Sequence, residues 1–114
     1  MERDNQSLLD MLQSAQIIIN YLAGRSQHEL TTNLQLQDAV IHRLMIIDEA
    51  SKRISEPTRQ TLTTIPWTAI SGMRNRLVHE YDEVDLDIIW DTIFNSLPIL
   101  ILELEKIISP DEEG

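Results

Sequence analysis

Cysteine is absent from the 114-residue chain, which excludes disulfide bonds and thiolate metal sites. Glycine and proline are scarce, with three and four residues, so few turn signals interrupt the chain. The longest apolar run covers only residues 97–102 and contains Pro98, which is far too short to span a bilayer. The first residues are acidic and lack the apolar stretch of a signal peptide. These absences are compatible with a cytoplasmic protein, which is what we expect, without a membrane segment. We also expect neither a metal nor a cofactor.

Basic residues are also few, and the formal net charge is −10. Nucleic-acid-binding proteins usually carry a basic surface, so the overall charge argues against that class. The distribution is uneven, however. Residues 43–76 contain six basic and three acidic side chains, whereas the rest of the chain contains three basic and sixteen acidic ones. The sequence therefore predicts a locally positive area on an acidic protein, although each single charge there is typical of a solvated surface.

Leucine and isoleucine recur at helical spacings of three and four along most of the chain, which predicts an all-α fold. The pattern predicts four main helices, over residues 5–23, 33–55, 66–81 and 86–108. Pro57 is expected to end the second helix, and the threonine-rich residues 56–65 are expected to form a connection. Four helices of this length predict a four-helix bundle in a single domain over residues 1–108. The acidic residues 109–114 are expected to be a disordered tail.

Several local signals mark the ends of these helices. Gly24 is placed as a C-terminal capping residue, and the sequence from Ser26 to Glu29 has the form of a capping box. Within the second helix, Asp48 and Lys52 are an acid and a base at i,i+4, a spacing typical of an exposed face. The last helix is apolar over a wide arc. This arc predicts burial on two sides, either as a central helix or against a second protomer.

One arginine stands in an apolar row. Ile70, Arg74, Leu77, Val78 and Tyr81 follow one another at helical spacings. Burying an unpaired charge costs several kcal/mol or more, so Arg74 requires either exposure or a partner. At about 100° per residue, Arg74 and Tyr81 share one face of a helix, and Asn75 and His79 share another. Two geometries could bring Arg74 and His79 to one site: a helix that loosens near its end, or two copies that face each other across a two-fold axis.

These side chains suit cleavage of a phosphodiester without a metal. The fork of donors on Arg74 matches a phosphate, and His79 can take or give a proton near neutral pH. Asn75 could orient the imidazole or contact the phosphate. RNA supplies its own nucleophile in the 2′-hydroxyl, which DNA lacks. On spacing alone the pattern is weak, because a surface arginine and a capping histidine would look the same.

The segment from Arg74 to Tyr81, RNRLVHEY, resembles the R-x-x-x-x-H-x-Y signature of HEPN-domain toxins of the HepT type. The resemblance extends along nearly the whole chain. It includes Arg3-Asp4, the segments 37–40 and 46–50, Ile65-Pro66-Trp67, Gly72-Met73, the segment 84–87 with Trp90, and Leu97-Pro98. Two positions depart from the family pattern: Asp48 stands where glycine is more common, and the connection between Pro57 and Pro66 is short.

The resemblance implies a HEPN-like helical bundle that forms a homodimer with the motif helices at the interface. It also implies a metal-independent ribonuclease toxin of a type VII toxin–antitoxin pair. Arg74, His79 and Asn75 would be catalytic, and Arg76 would contact the RNA substrate. The partner would be an MntA-like nucleotidyltransferase antitoxin that transfers AMP from ATP onto Tyr81. Because Tyr81 shares the face of Arg74, adenylylation would place bulk and negative charge where a substrate phosphate should bind.

Two other interpretations remain open. The chain could be a non-catalytic HEPN-type module in which Arg74 holds a nucleotide phosphate or a partner carboxylate. Alternatively, the motif helix could be only a dimer interface in which Arg74 pairs with an acid of the other chain. The remaining candidates are weaker, since Asp38 and His42 provide only two metal ligands and the tryptophans are expected to pack in the core or an interface.

Overall fold

The structure, a computed structural model, describes residues 2–71 and 86–108. The helices are α1 (Glu2–Leu22), α2 (Gln27–Thr32), α3 (Leu34–Lys52), α4 (Glu56–Thr61), α5 (helical over 67–71) and α6 (Leu86–Ile107). No strand occurs within these residues, which confirms the predicted all-α class. Within the same ranges, no helix is both long enough and apolar enough to cross a membrane.

The core lies between the three long helices. α1 packs extensively against α3 and also against α6, while the short α2 closes one end against α3 and α6. The most deeply buried large side chains are no more than 2% exposed and come from all three long helices: Leu8, Met11 and Ile18, Leu44 and Ile47, and Ile93, Leu97, Leu100 and Leu104. These residues carry the helical periodicity seen in the sequence, because each long helix turns one apolar face inward.

The helix ends follow the predicted capping signals. Gly24 has a φ of 73°, a left-handed conformation that favours glycine and ends α1. Ser26 accepts a hydrogen bond from the backbone N–H of Glu29 at 3.2 Å, and the Glu29 side chain accepts one from Ser26 N at 3.4 Å. The capping box is therefore confirmed, and it starts α2. Asn33 then caps α3 by accepting from Leu36 N at 3.0 Å.

The structure corrects the prediction that residues 56–65 form an irregular connection. Residues 56–61 form α4, and Pro57 lies in its first turn, where the missing N–H costs no helical hydrogen bond. Pro57 does not end the preceding helix, because α3 has already ended at Lys52. The sequence pattern gave no sign of α4, which is only six residues long.

The carboxylate of Asp4 holds the start of α4 in place. Ser55 donates to it from its backbone N–H at 3.0 Å and from its hydroxyl at 2.7 Å, and the Thr58 hydroxyl donates at 2.5 Å. These bonds, led by that from Thr58, lower the pKa of Asp4 from 3.8 to about 2. Asp4 is buried, so the start of α1 and the start of α4 are joined by a charged, hydrogen-bonded contact.

The structure also corrects the prediction that Asp48 lies on an exposed face of its helix. The i,i+4 spacing with Lys52 predicted an exposed pair, but Asp48 is 1% exposed and Lys52 lies 3.5 Å away with a half-exposed side chain. Asp48 follows Ile47 on the buried flank of α3, so its carboxylate points inward and Lys52 reaches over it from the surface. Arg53, the next basic residue, contacts Asp10 of α1 at 3.5 Å.

Candidate functional site

All five residues assigned to the site from the sequence lie outside the described residues: Arg74, Asn75, Arg76, His79 and Tyr81. The same holds for most of the predicted helix over 66–81 and for the acidic segment 109–114. Residues 67–71 are helical, so the predicted start of the motif helix is confirmed. The structure describes how the chain is held immediately before and immediately after the motif.

The start of α5 is fixed by backbone and side-chain bonds. Ile65 and Ile70 are both buried, at 2% and 3% exposed, and Ile70 N donates to the carbonyl of Pro66 at 3.1 Å. The indole N–H of Trp67 donates to the Leu62 carbonyl at 3.0 Å. Pro66 is pre-shaped for the first turn, and Ile65, Trp67 and Ile70 anchor it against the core.

Arg59 connects this start to the end of α3. Its guanidinium lies 5.0 Å from the centroid of the Trp67 ring, a cation–π distance. Its Nε donates to the Ile54 carbonyl at 3.3 Å, and its terminal nitrogen donates to the carbonyl of Ser51. Cationic donors at the last carbonyls of a helix are favoured by the helix dipole. The sequence pattern did not predict this role of Arg59. The available signal is an arginine on one short helix and an indole eight residues later.

The chain is also anchored where it leaves the motif. Asp87, in the first turn of α6, accepts a hydrogen bond from the side-chain amide of Gln27 in α2. Ile89 is buried, and the ring of Trp90 lies 4.5 Å from that of Phe94, tilted by 48°. Both tryptophans are half-buried against the core, which confirms the packing role predicted for them.

The alternative sites show no ligand arrangement. Among residues 2–71 and 86–108, no group of three or more His, Asp or Glu side chains is placed to hold a metal ion. His28 and His42 are both exposed, and Asp38, one turn before His42, is also exposed. A two-residue surface pair is the simplest description of Asp38 and His42.

Comparison with known proteins decides the family. The model of the ribonuclease HepT-like family matches residues 11–107, a range that includes the motif and both of its anchors. The chain belongs to this family. The HepT-like assignment made from RNRLVHEY is therefore confirmed.

Named relatives match over almost the full chain. A Methanocaldococcus jannaschii protein named "Putative RNase MJ0125" is 35% identical over 98% of this chain and 97% of its own length. A Caldanaerobacter subterraneus protein named "Putative RNase TTE0752" is 31% identical over 98% of this chain and its own full length. "Probable ribonuclease HepT" of Thermococcus cleftensis is 31% identical over 94% of this chain and 98% of its own length. No solved structure matches the chain significantly.

Proposed function

We propose that this HepT-like chain is a metal-independent endoribonuclease toxin, and that a nucleotidyltransferase antitoxin neutralises it by adenylylating Tyr81. The observation that carries the proposal is the motif from Arg74 to Tyr81 within the matched family range. The ribonuclease names of the relatives support the activity.

The buried face of α5 supports the role of Arg74. Ile70 points into the core, and Arg74 follows it by four residues. A helix that continues from α5 would bring Arg74 to the side of Ile70, partly shielded from bulk water. A guanidinium in such a place binds a phosphate more strongly than one on an open surface, because the local dielectric is lower. The anchoring by Trp67 and Arg59 would keep that helix in one position.

The reaction uses the substrate's own nucleophile. The RNA 2′-hydroxyl attacks the adjacent phosphorus and the bond from phosphorus to the 5′-oxygen breaks, leaving a 2′,3′-cyclic phosphate and a 5′-hydroxyl. One proton leaves the 2′-oxygen and one is delivered to the 5′-oxygen. His79 carries out proton transfer, Arg74 neutralises the developing charge on the phosphate, Asn75 positions the imidazole or the phosphate, and Arg76 binds the RNA backbone.

Two protomers would form the working unit. Arg74 and His79 do not point the same way on one straight helix, so two motif helices facing each other across a two-fold axis would pool their residues. In the regulatory step, the phenol oxygen of Tyr81 attacks the α-phosphorus of ATP, the phenol proton passes to solvent, and the bond from the α-phosphorus to pyrophosphate breaks. The added AMP brings a phosphate to the face of Arg74 and competes with the substrate.

The test is cleavage of RNA by the purified chain and by the variants His79→Ala and Arg74→Ala. Each is expected to lower the cleavage rate by about 100-fold or more, as for loss of a general acid–base or a charge-stabilising group. Arg25→Ala, an exposed arginine far from the motif in sequence, serves as the control. Light scattering should show the same oligomer for all variants. Cleavage at the unaltered rate by His79→Ala would contradict the role of His79 in proton transfer.

A further inference from the structure

One face of α6 carries an apolar row that is largely exposed among the residues that the structure describes. Trp90, Phe94, Pro98 and Leu102 recur every four residues; we call this row the α6 ridge. At 1.5 Å per residue it is about 18 Å long. Phe94 is 44% exposed and Leu102 55%, while the opposite face of the helix is buried in the core. Rows with this spacing are the ridges that helices use when they pack against another helix.

The Trp90 end of the ridge is already ordered. The Trp90 and Phe94 rings contact each other with their centroids 4.5 Å apart, and Trp90 also packs against the core. An aromatic pair held in this way presents a large apolar area at little cost in side-chain entropy. Such residues are enriched at the centres of protein interfaces.

The charges beside the ridge indicate which kind of partner fits. Asp91 lies one turn from Phe94, Glu105 lies one turn from Leu102, and both are exposed. The helix carries four carboxylates against one lysine, Lys106, and that lysine contacts Glu103 at 3.3 Å. RNA phosphates would be repelled from this face. A second copy of the helix would also be repelled, since both ends are net negative whether two copies run parallel or antiparallel.

We propose that the α6 ridge docks a different protein, with an apolar groove bordered by lysine and arginine side chains. The inference rests on the proposed function, under which that protein is the nucleotidyltransferase that modifies Tyr81. Tyr81 precedes Leu86, the first residue of α6, by five residues. A fully extended chain covers at most about 3.6 Å per residue, so the two Cα atoms are no more than about 18 Å apart. An enzyme seated on the Trp90 end is therefore within reach of the tyrosine.

The experiment measures binding of the full chain to the purified MntA-like nucleotidyltransferase proposed as its antitoxin, by calorimetry without ATP. The test variant is Phe94→Asp with Leu102→Asp. The matched control is Leu34→Asp, an apolar side chain that is 68% exposed on α3. The double variant is expected to raise Kd at least about tenfold, as for loss of central interface residues, and the control to leave it unchanged. A second variant, Asp91→Lys with Glu105→Lys, should also weaken binding, with Glu49→Lys on α3 as its control. Circular dichroism should show the same helix content throughout.

The outcomes separate this proposal from the proposed function. Equal affinity of the unaltered chain and the ridge variants would overturn the docking site, as would failure of the unaltered chain to bind. A switch from dimer to monomer in the ridge variant would also overturn it, by assigning the face to a second copy. Ridge-dependent binding without an AMP adduct on Tyr81 after ATP is added would support the docking site and overturn the adenylylation step.

Discussion

The guanidinium of Arg59 lies 5.0 Å from the centroid of the Trp67 ring, seven residues before Arg74 in the chain. The same guanidinium donates to the carbonyl of Ser51 in the last turn of α3 and to that of Ile54 just beyond the helix. One side chain therefore ties the start of the motif helix to a long helix of the core.

Replacing Arg59 with alanine is expected to lower the free energy of unfolding by about 1–3 kcal/mol, because a cation–π contact and two charged hydrogen bonds are lost together. Arg59→Lys keeps the charge but not the fork of donors, so its free energy of unfolding should lie between those of the unaltered chain and Arg59→Ala. Urea unfolding measures the difference. Arg25→Ala is the control, since its pair with Glu29 is exposed and worth less than about 1 kcal/mol. An equal loss of stability in Arg59→Ala and Arg25→Ala would show that the contacts of Arg59 stabilise the fold no more than an exposed ion pair does.

Asp4 makes stability depend on acidity in a defined window. Its folded pKa of about 2 lies below the ordinary 3.8, so the stabilisation is complete above about pH 4 and is lost as the pH falls through 2. Urea midpoints between pH 7 and pH 2 should fall more steeply for the unaltered chain than for Asp4→Asn. Asp38→Asn, at an exposed position on α3, should follow the unaltered chain. If the urea midpoints of the unaltered chain and of Asp4→Asn fell in parallel with pH, the lowered pKa of Asp4 would not be the cause of the acid destabilisation.

Substitutions at Gly24 test whether the left-handed backbone at the end of α1 requires glycine. An alanine there has to adopt the same positive φ of 73°, although no atom beyond the two neighbouring residues lies within 4 Å of the added methyl group. The expected loss of stability is about 1–2 kcal/mol and comes from the backbone alone. Gly24→Asn should cost less, because asparagine tolerates the left-handed region. Thermal melting of both variants provides the measurement, and an alanine variant as stable as the asparagine variant would argue against a backbone cause.

Two neighbouring leucines of α6 should respond very differently to truncation. Leu104 is 0% exposed, so Leu104→Ala is expected to cost about 2–5 kcal/mol through lost contacts and a cavity. Leu102 is 55% exposed, and Leu102→Ala should change the stability of the isolated chain by less than about 0.5 kcal/mol. Chemical denaturation of both checks the orientation of the helix. A large loss for Leu102→Ala would mean that the α6 ridge is covered in solution.

Cleavage of RNA is expected to continue in excess EDTA, because the proposed reaction needs only protein side chains and the 2′-hydroxyl. The same sequence made as DNA should remain intact, since it lacks the nucleophile. Gel analysis with and without the chelator distinguishes the two classes of nuclease. Activity that disappears in EDTA and returns with added magnesium would contradict the mechanism.

The sequence predicted those parts of the fold that depend on neighbours along the chain. The periodicity of α1, α3 and α6 and the caps at Gly24 and Ser26 are local signals, and each was confirmed. The motif was visible for the same reason, because its residues occupy one short segment.

The features that the sequence did not predict depend on distant residues. α4 is held by Asp4, which is 51 residues away from Ser55, and no local pattern announces such a contact. Asp48 is spaced like a surface charge, yet the flank of α3 on which it lies is buried. The wide apolar arc of α6 was visible in the sequence and predicted burial on two sides, but which part of it stays exposed required knowing which face the core occupies.

The contact of Asp4 with Ser55 and Thr58 also has a consequence for synthesis of the chain. Ribosomes add about 5–20 residues per second, so roughly 3–11 s pass between the addition of residue 4 and of residue 58. Until residue 55 has been added the carboxylate of Asp4 has neither hydroxyl available, and until residue 58 it lacks that of Thr58. The start of α4 can be fixed to the first helix only after Thr58, the sixth residue beyond α3, has been added, which is still before the motif is synthesised.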